Sequence, residues 1–473
     1  SQPQLQELMK LEEQLAKLRE DAGKAEGRSD KKPSEGPRGA AEKWEQLQER
    51  LHQLAESDKR LNDALRPLTD SLLQGRVSLD VRYRFETVDQ DRPASILDEA
   101  NAQTVRTRLG WRTGLFHGFF AYGEAENVSV VGEEDYNNTY NGKTKFPVVA
   151  DPDGTEVNQA YLGYLGLKGN TFRYGRQAFF FDNHRFVGDV GWRQNQQTFD
   201  SFFYENKMLP GVTGSYAYVY NVNRVFGEDT PNSAFANDGD FSTDGHLVNL
   251  QWKPNPVTTL TGYAYLLDFD DFDAESTATY GLRAAGEIPL PSLKLPTLPG
   301  APGSAILYTA EYARQSDYAD NPGNFNLDYG LLEGGVRLFG VNFKVAYELL
   351  EGGALNGTRA LQTPLATLHA FNGWADQFLR TPAAGLKDTY VTVGGPVPGL
   401  AVDWLVRYDS YESDAGSNDY GSEWGVMLSK TFAEKYTVGV KYADYSTDAP
   451  AFVAGRPDTS DVSKGWLWLQ IKI

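Results

Sequence analysis

Five arginines recur at a spacing of two or a multiple of it: Arg82 and Arg84, then Arg106, Arg108 and Arg112. A guanidinium is a planar fork of donors that matches carboxylates, and its weak hydration lets it exchange partners. A row of them on one surface is an anion track rather than a catalytic device. Further cations fall at compatible positions: Arg283, Arg337, Lys344, Arg407 and Lys441. Acids occur among them, namely Asp80, Glu86, Glu124, Glu126, Glu333, Glu348 and Asp403. Two arrangements fit this mixture. Open guanidiniums would pass anions through many weak sites; a ladder of ion pairs would instead brace a wall.

The elements that hold these residues read in twos. Val77, Leu79, Val81, Tyr83 and Phe85 alternate with Ser78, Asp80, Arg82, Arg84 and Glu86. Val105, Thr107, Leu109, Trp111 and Leu115 share one parity, and Arg106, Arg108 and Arg112 the other. Successive side chains on a strand point to opposite faces, so each segment has an apolar and a charged face. The signal recurs down almost the whole chain, which predicts a closed wall with lipid outside and water inside. About 18 segments are strand-like, beginning near 76, 104, 118, 156, 170, 198, 212, 244, 257, 276, 304, 327, 341, 386, 397, 422, 434 and 462. Their connections alternate long and short, the rhythm of outer-membrane barrels with long external loops and short periplasmic turns. The predicted fold is an all-β transmembrane antiparallel barrel over 74–473, with both termini periplasmic.

Composition agrees. Of 473 residues 40% are hydrophobic, with a mean hydropathy of -0.49. No apolar run reaches the length of a transmembrane helix, but a barrel gives lipid only every second residue. Aromatics at 13% suit membrane-interface girdles, and the 47 glycines suit tight turns. The absence of Cys excludes disulfides and thiolate metal sites, and five scattered His disfavour a zinc site. No cofactor is expected, although hard divalent cations could bridge acidic loops to lipopolysaccharide. A net charge of -19 argues against nucleic acid. The chain opens on Ser1, which fits a removed secretory signal or a trimmed terminus.

Residues 1–73 read as periplasmic α-helical coiled coil. A short helix over 1–25 precedes a charged Gly/Pro linker at 26–39, and a second helix runs from about 41 to 73. In that helix Leu47, Leu51, Leu54, Leu61, Leu65 and Leu68 occupy heptad a and d positions. So narrow a seam needs a partner: other copies, giving a homotrimer, or the first helix folded back as a hairpin.

Three connections stand out. The turn at 289–302 is apolar and Pro-rich where a short one is expected, and reads as a packed arm or a lid over the inner mouth. The segment 351–385 is too long for a plain loop. Leu365, Leu368, Phe371, Trp374, Phe378 and Leu379 have an amphipathic helical spacing, so it is expected to fold inward and narrow the pore; packing over the outer rim is the alternative. The external loops are acidic, as at Glu133, Glu134 and Asp135.

Two stretches resemble the alginate-export family of outer-membrane porins. One runs Arg173-Tyr174-Gly175-Arg176-Gln177, Asn183-His184-Arg185-Phe186-Val187-Gly188 and Gly191-Trp192-Arg193-Gln194-Asn195. The other runs Gln362-Thr363-Pro364-Leu365-Ala366-Thr367-Leu368-His369, Phe371-Asn372-Gly373-Trp374-Ala375-Asp376 and Gly385-Leu386-Lys387-Asp388-Thr389-Tyr390. The resemblance implies an 18-stranded barrel with a basic pore for an acidic polysaccharide such as alginate. It brings Arg176, Arg185 and Arg193 into the expected pore lining, and Phe371, Asn372, Trp374 and Asp376 into the expected constriction. The helices and the ending Trp466-Leu467-Trp468-Leu469-Gln470-Ile471-Lys472-Ile473 depart from the barrel pattern.

The expected function is therefore an outer-membrane channel for anionic solutes, in contact with lipid and lipopolysaccharide. A trimeric diffusion porin for small solutes and a tether to the cell wall are the alternatives. No Gly-x-Ser-x-Gly elbow or His–Ser pairing points to an enzyme.

Overall fold

From Arg76 onward the period-two pattern produces strands, eighteen among the described residues, all antiparallel to their neighbours. The computed structural model describes residues 10, 13, 16, 17, 37–91, 98–228, 230, 235–290, 303–353, 359–397, 399, 400, 402–447 and 460–473. The strands are β1 (Arg76–Gln90), β2 (Ala100–Arg112), β3 (Phe119–Asp135), β4 (Gly154–Tyr164), β5 (Asn170–Gln177) and β6 (Thr198–Asn206). Next come β7 (Val212–Asn223), β8 (Asp240–Asn255), β9 (Thr258–Phe269), β10 (Thr277–Pro289), β11 (Ala305–Asp317) and β12 (Asn326–Leu338). The last six are β13 (Val341–Leu350), β14 (Leu386–Val397), β15 (Val402–Glu412), β16 (Asp419–Phe432), β17 (Tyr436–Ser446) and β18 (Val462–Lys472). Each pairs with the next, and β1 pairs with β18 from Asp80–Lys472 to Gln90–Val462, which closes the sheet. Closure leaves no edge strand with unpaired backbone groups.

The parity read from sequence holds. Val77 is 68% exposed on the outside, and Leu109 and Trp111 share that face, while Arg82, Arg84, Arg106 and Arg108 are buried inside. Long and short connections alternate, so the barrel has a long-loop end and a short-turn end. One of the two-residue turns, Phe339-Gly340 between β12 and β13, takes φ of 54° and 81°. Two successive positive φ values match the twist of a two-residue hairpin.

The chain divides into two units, Ser1–Gly75 and Arg76–Ile473. In the first, helix α1 (Pro37–Leu73) starts on Pro37, whose missing N–H costs nothing in a first turn. It begins inside the predicted linker and carries Pro67 internally. Leu61, Leu65 and Leu68 are exposed on it, Leu47 and Leu54 half-buried, and Leu51's side chain is not among those described. Most of the predicted first helix and linker, and 291–302 of the predicted arm, lie outside the described residues; within the first helix, residues 10, 13, 16 and 17 are helical.

Candidate functional site: a doubly looped lumen

Two connections from the long-loop end fold into the barrel. The first links β5 to β6 (178–197); the second links β13 to β14 (351–385). They meet in a parallel bridge between Val187 and Leu365. There the Gly188 N–H donates to the Leu365 carbonyl at 2.8 Å, and the Thr367 N–H to the His184 carbonyl at 3.0 Å. Gln197 Nε2 donates to both the Gly188 and Leu365 carbonyls.

Wall arginines hold the first loop. Arg82 Nε donates to Gln194 Oε1 at 2.9 Å, and its terminal nitrogens to the Gly191 and Trp192 carbonyls at 3.1 and 3.0 Å. Arg84 donates to the Trp192 carbonyl at 2.6 Å and pairs with Asp151. Arg108 pairs with Glu126, and Arg106 with Asp80 at 2.8 Å. Deeper in the lumen Asp182 accepts from Asn249, Gln251 and Thr261 on β8 and β9.

The second loop is held mainly by acids. Glu423 accepts the N–H groups of Trp374 at 2.5 Å and Ala375 at 3.1 Å. Asn372 donates to Glu348 at 2.7 Å and to Asp388 at 3.1 Å. Asp376 accepts from Arg193 at 2.9 Å, Lys464 at 2.8 Å and His369 Nδ1 at 2.7 Å. The other imidazole nitrogen, Nε2, faces Lys441 Nζ at 2.6 Å. With Nδ1–H donating to Asp376 and Nε2 accepting from Lys441 Nζ, the ring is neutral. Burial lowers the His369 pKa to about 3, with Lys441 adding to the effect and Asp376 opposing it. Burial would raise Asp376, but the His369 N–H, Lys464 and Arg193 outweigh it and hold the carboxyl well below the usual range. Arg185 ties everything together. It donates to Glu348 on β13 at 2.8 Å, to Thr363 at 3.3 Å and to Asn372 at 3.1 Å.

Most predicted pore cations are thus engaged. Arg283 pairs with Glu311 at 2.5 Å, Arg337 with Glu287, Lys344 with Glu333 at 3.0 Å and Arg407 with Asp409 at 2.6 Å. Arg193 pairs with Glu86 at 3.2 Å. Arg176 is a correction. It stands on the outer face, paired with Asp200 at 2.9 Å, because it shares the parity of Phe172 and Tyr174. The second loop is a correction of another kind. Its described part is irregular, with only a single 3-10 turn at Leu368–Ala370 where a helical spacing was read. Leu365, Trp374 and Phe378 are buried, Leu365 and Phe378 in one apolar cluster and Trp374 in another.

Arg112 differs from the rest. Among the described residues it has no carboxylate within ion-pair distance, and its guanidinium lies 4.0 Å above the Phe120 ring. Sequence reasoning missed its companion, Arg173, which lies 4.3 Å above Phe203 and likewise has no carboxylate partner among the described residues. Alternation within Asn170–Gln177 held the signal, since it sets Arg173 and Arg176 on opposite faces. Both guanidiniums line a cavity of about 450 Å³ at the short-turn end. Two acids also line it, but Asp189 is held by Gln196 and His184, and Glu205 by Lys207 at 2.7 Å. Toward the long-loop end a cavity of about 390 Å³ is bordered by Arg193, Arg224, Arg380 and Lys464. Among the described residues no three His, Asp or Glu side chains gather as a metal-holding group.

A closed 18-stranded barrel with an apolar exterior, a polar interior and loops folded into its lumen is the architecture of outer-membrane porin-type channels. Residues 75–289 match the alginate export family, so the resemblance drawn from sequence holds over β1–β10. No curated protein sequence matches. Solved barrels share the fold. Pseudomonas aeruginosa OccK9 (OpdG) superposes with a TM-score of 0.63 at 12% identity, covering 85% of this chain and 100% of that one. Acinetobacter baumannii OccAB2 gives 0.63 at 15% identity over 85% and 99%. Pseudomonas aeruginosa OpdK, solved with vanillate, gives 0.61 at 13% identity over 84% and 98%.

Proposed function

We propose that this barrel is a selective channel for small anionic solutes, with its termini on the periplasmic side. The observation that carries the reading is the pair Arg112 and Arg173. They are lumen guanidiniums without carboxylate partners among the described residues, each laid on an aromatic ring beside a cavity of small-molecule size. A ring beneath a guanidinium holds it in place without neutralising it, so it stays open to a passing carboxylate. The engaged arginines fit the wall ladder of ion pairs weighed from sequence, and beyond it they brace the loops that narrow the path. The constriction favours small solutes over a free polymer passage. A second reading, passage of an acidic polysaccharide such as alginate, is favoured by the family match over 75–289. Helix α1 is proposed as a periplasmic coiled coil that joins copies of the chain.

Planar-bilayer recording tests this. Wild type should be anion-selective under a salt gradient, and Arg112→Glu with Arg173→Glu should move the reversal potential toward cations. An unchanged reversal potential removes the reading. Block by oligouronates but not by small carboxylates would favour the polysaccharide.

A further inference from the structure

The outer wall is not uniform. β5 and β6 are the shortest strands, 8 and 9 residues, against 13 in each of β10, β11 and β12. At about 3.3 Å per residue and a tilt of about 40°, β5 covers roughly 20 Å of height, less than the apolar band of about 25 Å. Its outer parity runs Phe172, Tyr174, Arg176. The neighbours agree on the face: Tyr174 is 62% exposed, and Arg176 stands opposite Ala160 and Asp200 in register. Phe199 and Ser201, on either side of Asp200, are buried inward.

Depth is what matters. Phe172 stacks on Tyr204 at 4.8 Å and marks the aromatic girdle of the short-turn end. Arg176 lies four residues beyond it, hence roughly 10 Å higher. The Arg176–Asp200 pair, joined by Glu228, therefore sits well inside the zone where other strands meet hydrocarbon. On β8 the outward His246, bonded to Tyr216 at 2.8 Å, lies six residues beyond Trp252. That is a rise of roughly 15 Å. Elsewhere the arrangement is the ordinary one. The outer parity of β10 reads Tyr280, Leu282, Ala284, Gly286 and Ile288. The outer pair Arg314–Asp328 lies eight residues beyond Ile306, roughly 20 Å up and near the edge of the band.

Ionic groups at such depth face protein or water, not lipid. A second copy of the chain fits this face best. It brings a wall of the same reduced apolar height, so neither side leaves a mismatch to the bilayer. Independently, α1 exposes Leu61, Leu65 and Leu68 along one heptad stripe, a seam that fits a second copy of the same helix. We propose that copies of this chain meet in the membrane through the outer face of β5–β7, about an axis along the membrane normal. Tyr174 and Tyr220, their rings 6.3 Å apart, form the aromatic contact surface, and Arg176 with Asp200 its desolvated polar centre.

The chain has no cysteine, which makes the test clean. Full-length Tyr174→Cys and Leu282→Cys proteins are placed in bilayers with and without lipopolysaccharide and treated with a bis-maleimide linker. Cross-linked copies from the Tyr174→Cys protein, and few from Leu282→Cys, are expected in both bilayers. Adding Asp200→Ala to Tyr174→Cys should lower the cross-linked fraction several-fold. A Tyr174→Cys protein that stays uncross-linked, or Leu282→Cys cross-linking equally well, overturns the proposal. Shielding of Tyr174→Cys by lipopolysaccharide alone also overturns it and assigns the face to that lipid.

Discussion

Arg185→Ala should loosen both inward loops at once. The side chain is 2% exposed and joins the first loop to Glu348 on the wall and to Thr363 and Asn372 on the second loop. Removing one partner of a buried ion pair costs about 3–5 kcal/mol. The lower end applies, because Glu348 keeps Tyr329 Oη and Asn372 Nδ2 at 2.7 Å each. A loss of about 3 kcal/mol raises the population of locally opened loops roughly 100-fold at 1.36 kcal/mol per decade. Hydrogen exchange reads this directly at the Gly188 and Thr367 amides, whose acceptors lie across the seam between the loops. Single-channel conductance should rise and become noisier, while the wall stays intact. Arg185→Lys keeps the charge but not the fork, and should fall between the two. Unchanged exchange at both amides, with unchanged conductance, would refute the view that this residue locks the constriction.

Other expectations concern the same lumen. The reversal potential should follow charge at Arg112 and Arg173, and cross-linking should follow Tyr174 but not Leu282. His369 is neutral in the folded state, so its contribution to stability is lost as pH falls from about 6.5 toward its folded value of about 3. Over the two units from pH 6.5 to 4.5 that amounts to roughly 2 kcal/mol, read as loop exchange in wild type and absent in His369→Gln. If wild type and His369→Gln lose protection equally, the proton goes elsewhere. Gly373→Ala should also release the second loop. Gly373 has φ of 90°, and an added Cβ would strike the Glu423 carboxylate that caps Trp374 and Ala375; unaltered conductance would count against that cap.

Much of the wall was legible because a barrel repeats one rule. Twelve strands start within a residue of where alternation set them, and Arg82, Arg84, Arg106 and Arg108 lie inside. What alternation lacks is any record of what fills the interior. Arg82 looks like an open anion site in a strand, yet it binds carbonyls more than 100 residues away. The helical spacing of Leu365, Leu368, Phe371 and Trp374 misled for a related reason. Wall side chains such as Glu423 satisfy that loop's backbone groups, so it has no need of a helix to do so. Arg176 went astray because a family motif was followed where the simple parity of Asn170–Gln177 already gave its side.

The two inward loops draw on different halves of the chain. Most anchors of the first come from β1 to β9, as with Arg82, Thr104 and Thr261. Most anchors of the second come from β11 to β18, as with Gln315, Glu423 and Lys464. Arg185 and Arg193 are the clasps between them. A nascent barrel can therefore seat its first insert before the later strands are added, leaving the sieve to be finished as β18 zips onto β1.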